Sequence, residues 1–310
     1  MFDLLVVSDC VLDIYYRVRR LPIRAYDLVV ASEPVLSPGG ACSVAVIASR
    51  LGLKVAVIDK LGNDPFSIPL INMLNNANVY TGFIKRMNGS YTTISNNIID
   101  ELGRHAFLGY VGAGAHLTPS DIDEQVVKSS KAVFISGFNI AYSSDVKEAL
   151  IKVIKVSSDN GVMMFLDPGP AAGSVRELIT LIKPPGVLLL NSDEAKALYG
   201  LGLRDAVKAM RRSGGNFIIK LGSGGALLVN NGNVKRCPAH KVKHVLTTIG
   251  AGDAFDAAYI TGLLRGLSSY EACRLANYVA SLRLNVLSTM DMPDMSDLVT
   301  QWIKGPSDAN

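Results

Sequence analysis

Short apolar runs punctuate the chain at residues 2–7, 54–59, 132–136, 162–166, 187–190 and 217–221. They are too short for helices and their centres do not alternate with polar residues, which predicts strands covered on both faces. Helix-like stretches lie between them: residues 41–51 ending at Gly52, 144–157 ending before Gly161, 192–199 ending at Gly200, and 203–212 ending before Gly214. A glycine just past a helix end is the expected cap. The alternation predicts an α/β fold, with a central, mainly parallel sheet flanked by helices. Two segments, 13–37 and 85–110, break the rhythm with short β-like pieces at 28–31 and 92–99. They predict a small β-sheet standing apart as a lid. Asn230-Asn231-Gly232 between two apolar runs predicts a hairpin.

Composition narrows this picture. The chain has 310 residues, of which 49% are hydrophobic and 19% charged, enough for one sizeable core, and a single domain over 1–310 is expected. Lys and Arg total 31 against 27 Asp and Glu, a net charge of +4. The basic residues are scattered rather than interleaved with aromatics, so nucleic acid is not an expected partner. No apolar run is long enough to cross a bilayer, the first residues lack a basic signal-peptide region, and a cytoplasmic protein is expected, with no membrane partner. Cys10, Cys42, Cys237 and Cys273 have no paired spacing and read as isolated reduced thiols. His105, His116, His240 and His244 show no metal spacing and read as surface or loop residues.

The sharpest chemical signal is Gly250-Ala251-Gly252-Asp253, a glycine-rich turn running into a helix-like stretch over 254–264. A helix N-terminus offers free N–H groups and the positive end of its dipole to an anion, and glycines let that anion approach. A carboxylate one residue later could take a proton from an attacking hydroxyl. The same residues equally suit a turn with Asp253 as a helix cap. Gly39-Gly40 precedes the helix carrying Ser43 and suits a ligand lying on the backbone, or a plain turn. Asn191 and Glu194 open another helix; they could hold the waters of Mg²⁺, or simply form an acidic first turn. Lys220-Leu221-Gly222-Ser223-Gly224-Gly225 follows a strand and could cover a nucleotide.

These motifs, in this order, resemble the ribokinase (PfkB-type) carbohydrate kinases. The resemblance runs from Phe2 to about Leu298 and includes Gly39-Gly40 through Leu51-Gly52, Asp167-Pro168-Gly169 and Gly250 through Phe255. It implies a ribokinase-like fold with a β-lid and a kinase that moves the γ-phosphate of ATP to a sugar hydroxyl. Asp253 would be the general base, and Gly250, Ala251 and Gly252 the anion hole. Asp13, Gly39, Gly40 and Ser43 would hold the acceptor. Asn191, Lys220, Gly222, Ser223, Gly225 and Asn277 would line the ATP site, with Asn191 and Glu194 orienting Mg²⁺. The sequence departs from the family where Thr247 replaces an Asp tied to monovalent-cation activation and Ile249 a frequent Thr, so weak or absent potassium dependence is expected. Ser43 stands where Asn is usual. The acceptor is a sugar in the first reading. A 2-keto-3-deoxygluconate kinase, or a nucleoside kinase with Tyr15, Phe107 and Phe138 as a stacking wall, is the alternative, followed by a non-catalytic sugar-binding protein. An exposed lid edge implies a homodimer through the lid.

Overall fold

The structure, a computed structural model, describes residues 1–182 and 184–304. Residues 305–310 of the expected 1–310 domain lie outside the described residues. In chain order the strands are β1 Leu4–Val7, β2 Cys10–Val18, β3 Val35–Gly40, β4 Val55–Gly62, β5 Tyr80–Met87, β6 Ile94–Asp100, β7 His105–Tyr110, β8 Ala132–Ser136, β9 Met163–Asp167, β10 Val187–Asn191, β11 Asn216–Lys220, β12 Ala226–Asn230 and β13 Asn233–Cys237. The helices are α1 Ala41–Arg50, α2 Ser67–Asn76, α3 Glu124–Lys128, α4 Ser144–Asp159, α5 Arg176–Leu181, α6 Ser192–Tyr199, α7 Leu203–Ser213, α8 Ala251–Leu264, α9 Ser269–Arg283 and α10 Leu298–Lys304.

Among the described residues the main sheet runs β13-β12-β11-β10-β9-β8-β1-β4-β5. All neighbours are parallel except the two hairpin pairs at one edge. Alternation along β1 explains why it lies in the middle. Leu4 and Val6 join one core with α1, α8 and α9, while Leu5 and Val7 join a second core containing α4 residues. Both faces are therefore apolar, and the strand reads as an unbroken hydrophobic run. The β12–β13 turn places Asn231 and Gly232 at positive φ, 46° and 75°, as a tight two-residue hairpin demands. Gly200 and Gly214 close α6 and α7 in the left-handed conformation, as anticipated.

The lid is a second sheet, ordered β3-β2-β6-β7. Its limits differ from the sequence expectation in three ways. Residues 28–31 form no strand; the strand is β3, whose signal is hidden because Pro38, Gly39 and Gly40 make up half of it. The lid starts at Cys10 rather than 13, after Ser8 and Asp9 break the chain away from β1 with φ of 72° and 67°. Lys85 belongs to β5 at the edge of the main sheet, so the second lid segment starts at Ile94.

The cysteine expectation is also corrected in part. Cys10 and Cys42 form a disulfide, with Cα atoms 4.8 Å apart. Cys10 pairs with Gly40 across β2 and β3, two residues before Cys42, so the sheet register brings together thiols that are 32 residues apart in sequence. Cys237 and Cys273 are free and buried. No helix among the described residues is long and apolar enough to cross a membrane.

Candidate active site

The parallel strands end in one row of polar residues. Asp59 follows the part of β4 that pairs with β1, Asp9 lies just past β1, Ser136 ends β8 opposite Asp167 on β9, and Asn191 ends β10 opposite Lys220 on β11. The carboxyl edge of an open α/β sheet is where ligands bind in such folds. The head of α8 faces the same row.

Gly250 is the N-cap of α8, at φ 77°, and no side chain caps the helix. The amides of Gly252 and Asp253 have no acceptor among the described residues. The Asp253 carboxyl forms no hydrogen bond or ion pair there either, so the helix-cap alternative has no support in the geometry. Burial pushes that carboxyl up to about 6, with Asp167 adding to the rise while Lys220 and Arg283 oppose it. The result is an uncapped helix head, open to an anion, beside a half-buried carboxylate free to accept a proton.

The Gly39-Gly40 pair has a specific reason. A Cβ on Gly39 would lie 2.4 Å from the Asp13 carboxyl, and one on Gly40 would lie 2.3 Å from the Asp9 carbonyl oxygen and 2.9 Å from Asp9 Oδ2. The two glycines let two buried carboxyls lie against the backbone of β3. Burial pushes Asp13 up to about 7, and the Asp253 charge adds to the rise. Burial also raises Asp9 well above the usual carboxylate range, against a bond donated by Ser136 Oγ at 3.0 Å. Asp59, buried and also raised to about 7, accepts the Cys10 amide at 2.6 Å. Ser43 does not join this group: its hydroxyl is buried against Thr289 Oγ1 at 3.0 Å.

On the other side of α8, the partly buried Lys220 lies between Asp167 at 2.7 Å and the fully buried Asp256 at 2.9 Å. Burial alone would depress its ammonium, but the surrounding Asp167, Asp256 and Glu194 charges raise it instead. Burial and the neighbouring Asp167 push Asp256 well above the usual carboxylate range, against Lys220, while the Lys220 ammonium holds Asp167 below it. Lys220 Nζ lies 3.6 Å from where a Cβ on Gly252 would be, beneath the anion loop rather than in an open cleft.

Asn191 and Glu194 form a reciprocal capping box on α6: Asn191 Oδ1 accepts from the amides of Asp193 and Glu194, and Glu194 Oε2 accepts the Asn191 amide at 2.7 Å. Burial and Asp167 push Glu194 up to about 7. Among the described residues no cluster of three acidic, His or Cys side chains could grip a metal directly. A hydrated cation beside this raised carboxylate fits the donor set better. Gly222 and Ser223 are exposed on a short turn, and a Cβ on Gly222 would meet nothing within 4 Å. Gly225 is glycine for packing, since its Cβ would strike the Cys237 carbonyl at 2.1 Å. Asn277 donates to the Pro238 carbonyl at 3.0 Å and to Cys237 Sγ, which ties α9 to the end of β13.

Sequence reasoning missed Asp9, Asp59, Asn97, Asn139 and Arg283. Among the described residues, the buried side-chain atoms that lack a partner are Ser8 Oγ, Asp9 Oδ1, Asn97 Nδ2, both Asn139 amide atoms, Arg283 Nε and, elsewhere, Ser157 Oγ. Such orphans are rare in folded proteins, and their gathering here marks a site built for a polar ligand. Tyr15 is no stacking wall: its ring is 1% exposed and its hydroxyl bridges Asp13 and Arg283.

The comparisons agree with this geometry. The family model described as pfkB family carbohydrate kinase matches residues 1–295. A candidate sugar kinase of Pyrococcus horikoshii is 31% identical over 275 residues, covering 84% of this chain and 85% of that protein. Ribokinase of Mus musculus is 25% identical over 297 residues, covering 92% and 89%. The structure of Arabidopsis thaliana ribokinase complexed with ribose and ATP superposes with a TM-score of 0.82 at 25% identity, covering 97% of this chain and 98% of that one. The chain belongs to the pfkB family of carbohydrate kinases, enzymes that phosphorylate an alcohol group.

Proposed function

We propose that the protein transfers the γ-phosphate of ATP to a hydroxyl of a neutral sugar, within a single domain whose β-lid closes over the acceptor. Asp253 accepts the hydroxyl proton as the oxygen attacks. The head of α8 at Gly250, Ala251 and Gly252, where the Gly252 amide has no acceptor and the Ala251 amide is held only by a 3.3 Å bond to the Thr248 carbonyl, holds the charge on the transferred group. Asp13 and Asp9, seated against Gly39 and Gly40, accept hydrogen bonds from sugar hydroxyls. Gly222 and Ser223 cover the nucleotide, Lys220 holds the loop from below, and Gly225 and Asn277 fix the wall behind it. Asn191 and Glu194 face Mg²⁺ through its water shell, and the ion supplies charge neutralisation to the nucleotide phosphates when bound. The exposed outer strand β7, with Phe107, Leu108 and Tyr110 uncovered, supports a homodimer through the lid.

The observation that carries this reading is the unpartnered Asp253 carboxyl beside the uncapped helix head. The acceptor pocket also discriminates. Asp9, Asp13 and Asp59 outnumber its one cation, Arg283, which disfavours the carboxylate of a keto-deoxy acid, and with Tyr15 buried a nucleoside base loses one of three candidate stacking residues. ATP turnover measured against pentoses, hexoses, keto-deoxy acids and nucleosides, with wild type and Asp253→Asn, tests the proposal. A neutral sugar is expected to be turned over best and the variant to be nearly inactive. Equal turnover by both proteins would remove Asp253 as the base. Tight sugar binding with no turnover by either would favour a sugar-binding protein.

A further inference from the structure

We propose that Arg283 is a built-in cation behind the phosphate-holding loop, a positioning residue that does the work of a bound monovalent ion and makes the kinase independent of one. The inference rests on the reading of the Gly250, Ala251 and Gly252 amides as the anion hole.

Arg283, the last residue of α9, is 1% exposed and among the largest fully buried side chains. No carboxylate lies within ion-pair distance among the described residues. Its guanidinium donates to the Val286 carbonyl at 2.6 Å, the Leu287 carbonyl at 3.0 Å and the Tyr15 hydroxyl at 3.1 Å, and Nε has no partner. A buried charge without a counter-charge is costly and persists where something compensates it. The position of the charge identifies that something. Arg283 Nε would lie 2.9 Å from a Cβ on Gly250, so the guanidinium backs directly onto the first residue of the loop. The groups facing it are the Tyr15 hydroxyl, the Asp13 carboxyl hydrogen-bonded to that hydroxyl, and the half-buried Asp253, whose charge Arg283 favours. Arg283 thus links the acceptor carboxylate, the base and the loop, and the developing phosphoryl charge is the anion that would complete its surroundings.

The donor set around the loop does not suit a monovalent ion. Thr247 is buried and its hydroxyl accepts the Ile249 amide at 3.1 Å, and neither residue offers a carboxylate. The carbonyls of Val286 and Leu287 already accept from the guanidinium. Lys220 does not duplicate this charge, because Asp167 neutralises it.

The test measures sugar-dependent ATP turnover at constant ionic strength in potassium, sodium and tetramethylammonium salts. Wild-type kcat is expected to agree within about twofold across the three, and a tenfold requirement for potassium or sodium would overturn the proposal. Arg283→Met is expected to lose kcat on the order of 10²-fold with acceptor KM changed far less, as for removal of charge stabilisation at an oxyanion. Guanidinium at sub-denaturing concentration should restore at least tenfold of the loss in Arg283→Ala, and urea at the same concentration should not; a folded Ala variant that guanidinium leaves unrescued counts against it. Arg283→Lys keeps the charge if the neutral variants fail to fold, and it should retain more activity than Met; equal loss in both would show that charge is not what matters. A wild type inactive on every acceptor defeats the kinase reading instead. Binding of orthovanadate, followed by thermal shift, still reports on the loop in that case: weaker binding to Arg283→Met supports the role, and unchanged binding refutes it.

Discussion

The two sides of α8 differ in how their buried charges are balanced. On the donor side, Lys220 lies between Asp167 and Asp256 at 2.7 and 2.9 Å, and the three groups complete one another. On the acceptor side Asp9, Asp13 and Asp59 are buried without an ammonium or guanidinium in contact, and their pKa values rise as a consequence. The donor side is a finished network that rigidifies the loop. The acceptor side is an unfinished one, whose missing partners are hydroxyls that a ligand brings. Asp253 stands between them, and both sides tune it.

The most damaging way to disturb that division is at Asp253 itself. Asp253→Asn keeps the shape and removes the base, and kcat is expected to fall by a factor on the order of 10²–10⁴ while nucleotide binding changes little. Steady-state kinetics with a calorimetric nucleotide titration separate the two effects, and a loss of binding equal to the loss of rate would contradict the assignment.

Breaking the finished side comes next. Lys220→Met leaves the partly buried Asp167 and the fully buried Asp256 without their counter-charge, and loss of one member of a buried ion pair destabilises by about 3–5 kcal/mol. Denaturant unfolding reads this directly. The same substitution removes a charge that favours ionised Asp253, so the acid limb of kcat/KM should move to higher pH. In the wild type that limb should centre near the Asp253 value of about 6, with activity lost as pH falls through it because the base becomes protonated. An acid limb near 4 would mean that burial does not raise this carboxyl.

How far the site could be read from sequence follows the same division. The strands of the main sheet were legible because both faces are apolar, and the α8 turn was legible because Gly250-Ala251-Gly252-Asp253 stands in register with the other family-like motifs along the chain. β3 was not, since a proline and two glycines mask a strand whose glycines exist to admit the Asp9 and Asp13 side chains. Asp9 was missed because nothing in a sequence marks the positive φ that turns it under Gly40. Arg283 reads as an ordinary basic residue at a helix C-terminus, where such charges are common; only the fold shows that it points inward. The disulfide was missed for a related reason, because sheet register rather than spacing brings Cys10 to Cys42.

On the unfinished side, Gly39→Ala forces a methyl group against the Asp13 carboxyl, which must rotate away from its position beside Tyr15. The acceptor KM is expected to rise about tenfold or more, with nucleotide affinity unchanged, since one misplaced hydrogen-bonding charge costs roughly 1.5–3 kcal/mol. A matching loss of nucleotide affinity would show that the two sides are not independent.

The smallest effect is expected at Ser43. Its position one turn past Gly40 suggests an acceptor contact, but its hydroxyl is buried and bonded to Thr289, which also reaches the Pro38 carbonyl at 3.5 Å. Ser43→Ala should therefore weaken the packing of α1 against the segment after α9 by about 1 kcal/mol, the usual net value of one buried hydrogen bond, and leave acceptor KM within twofold. Thermal unfolding should show a drop of a few degrees at most. A large rise in acceptor KM without loss of stability would mean that the Ser43 hydroxyl turns from Thr289 to the ligand on binding, and would extend the unfinished side of the site to the first turn of α1.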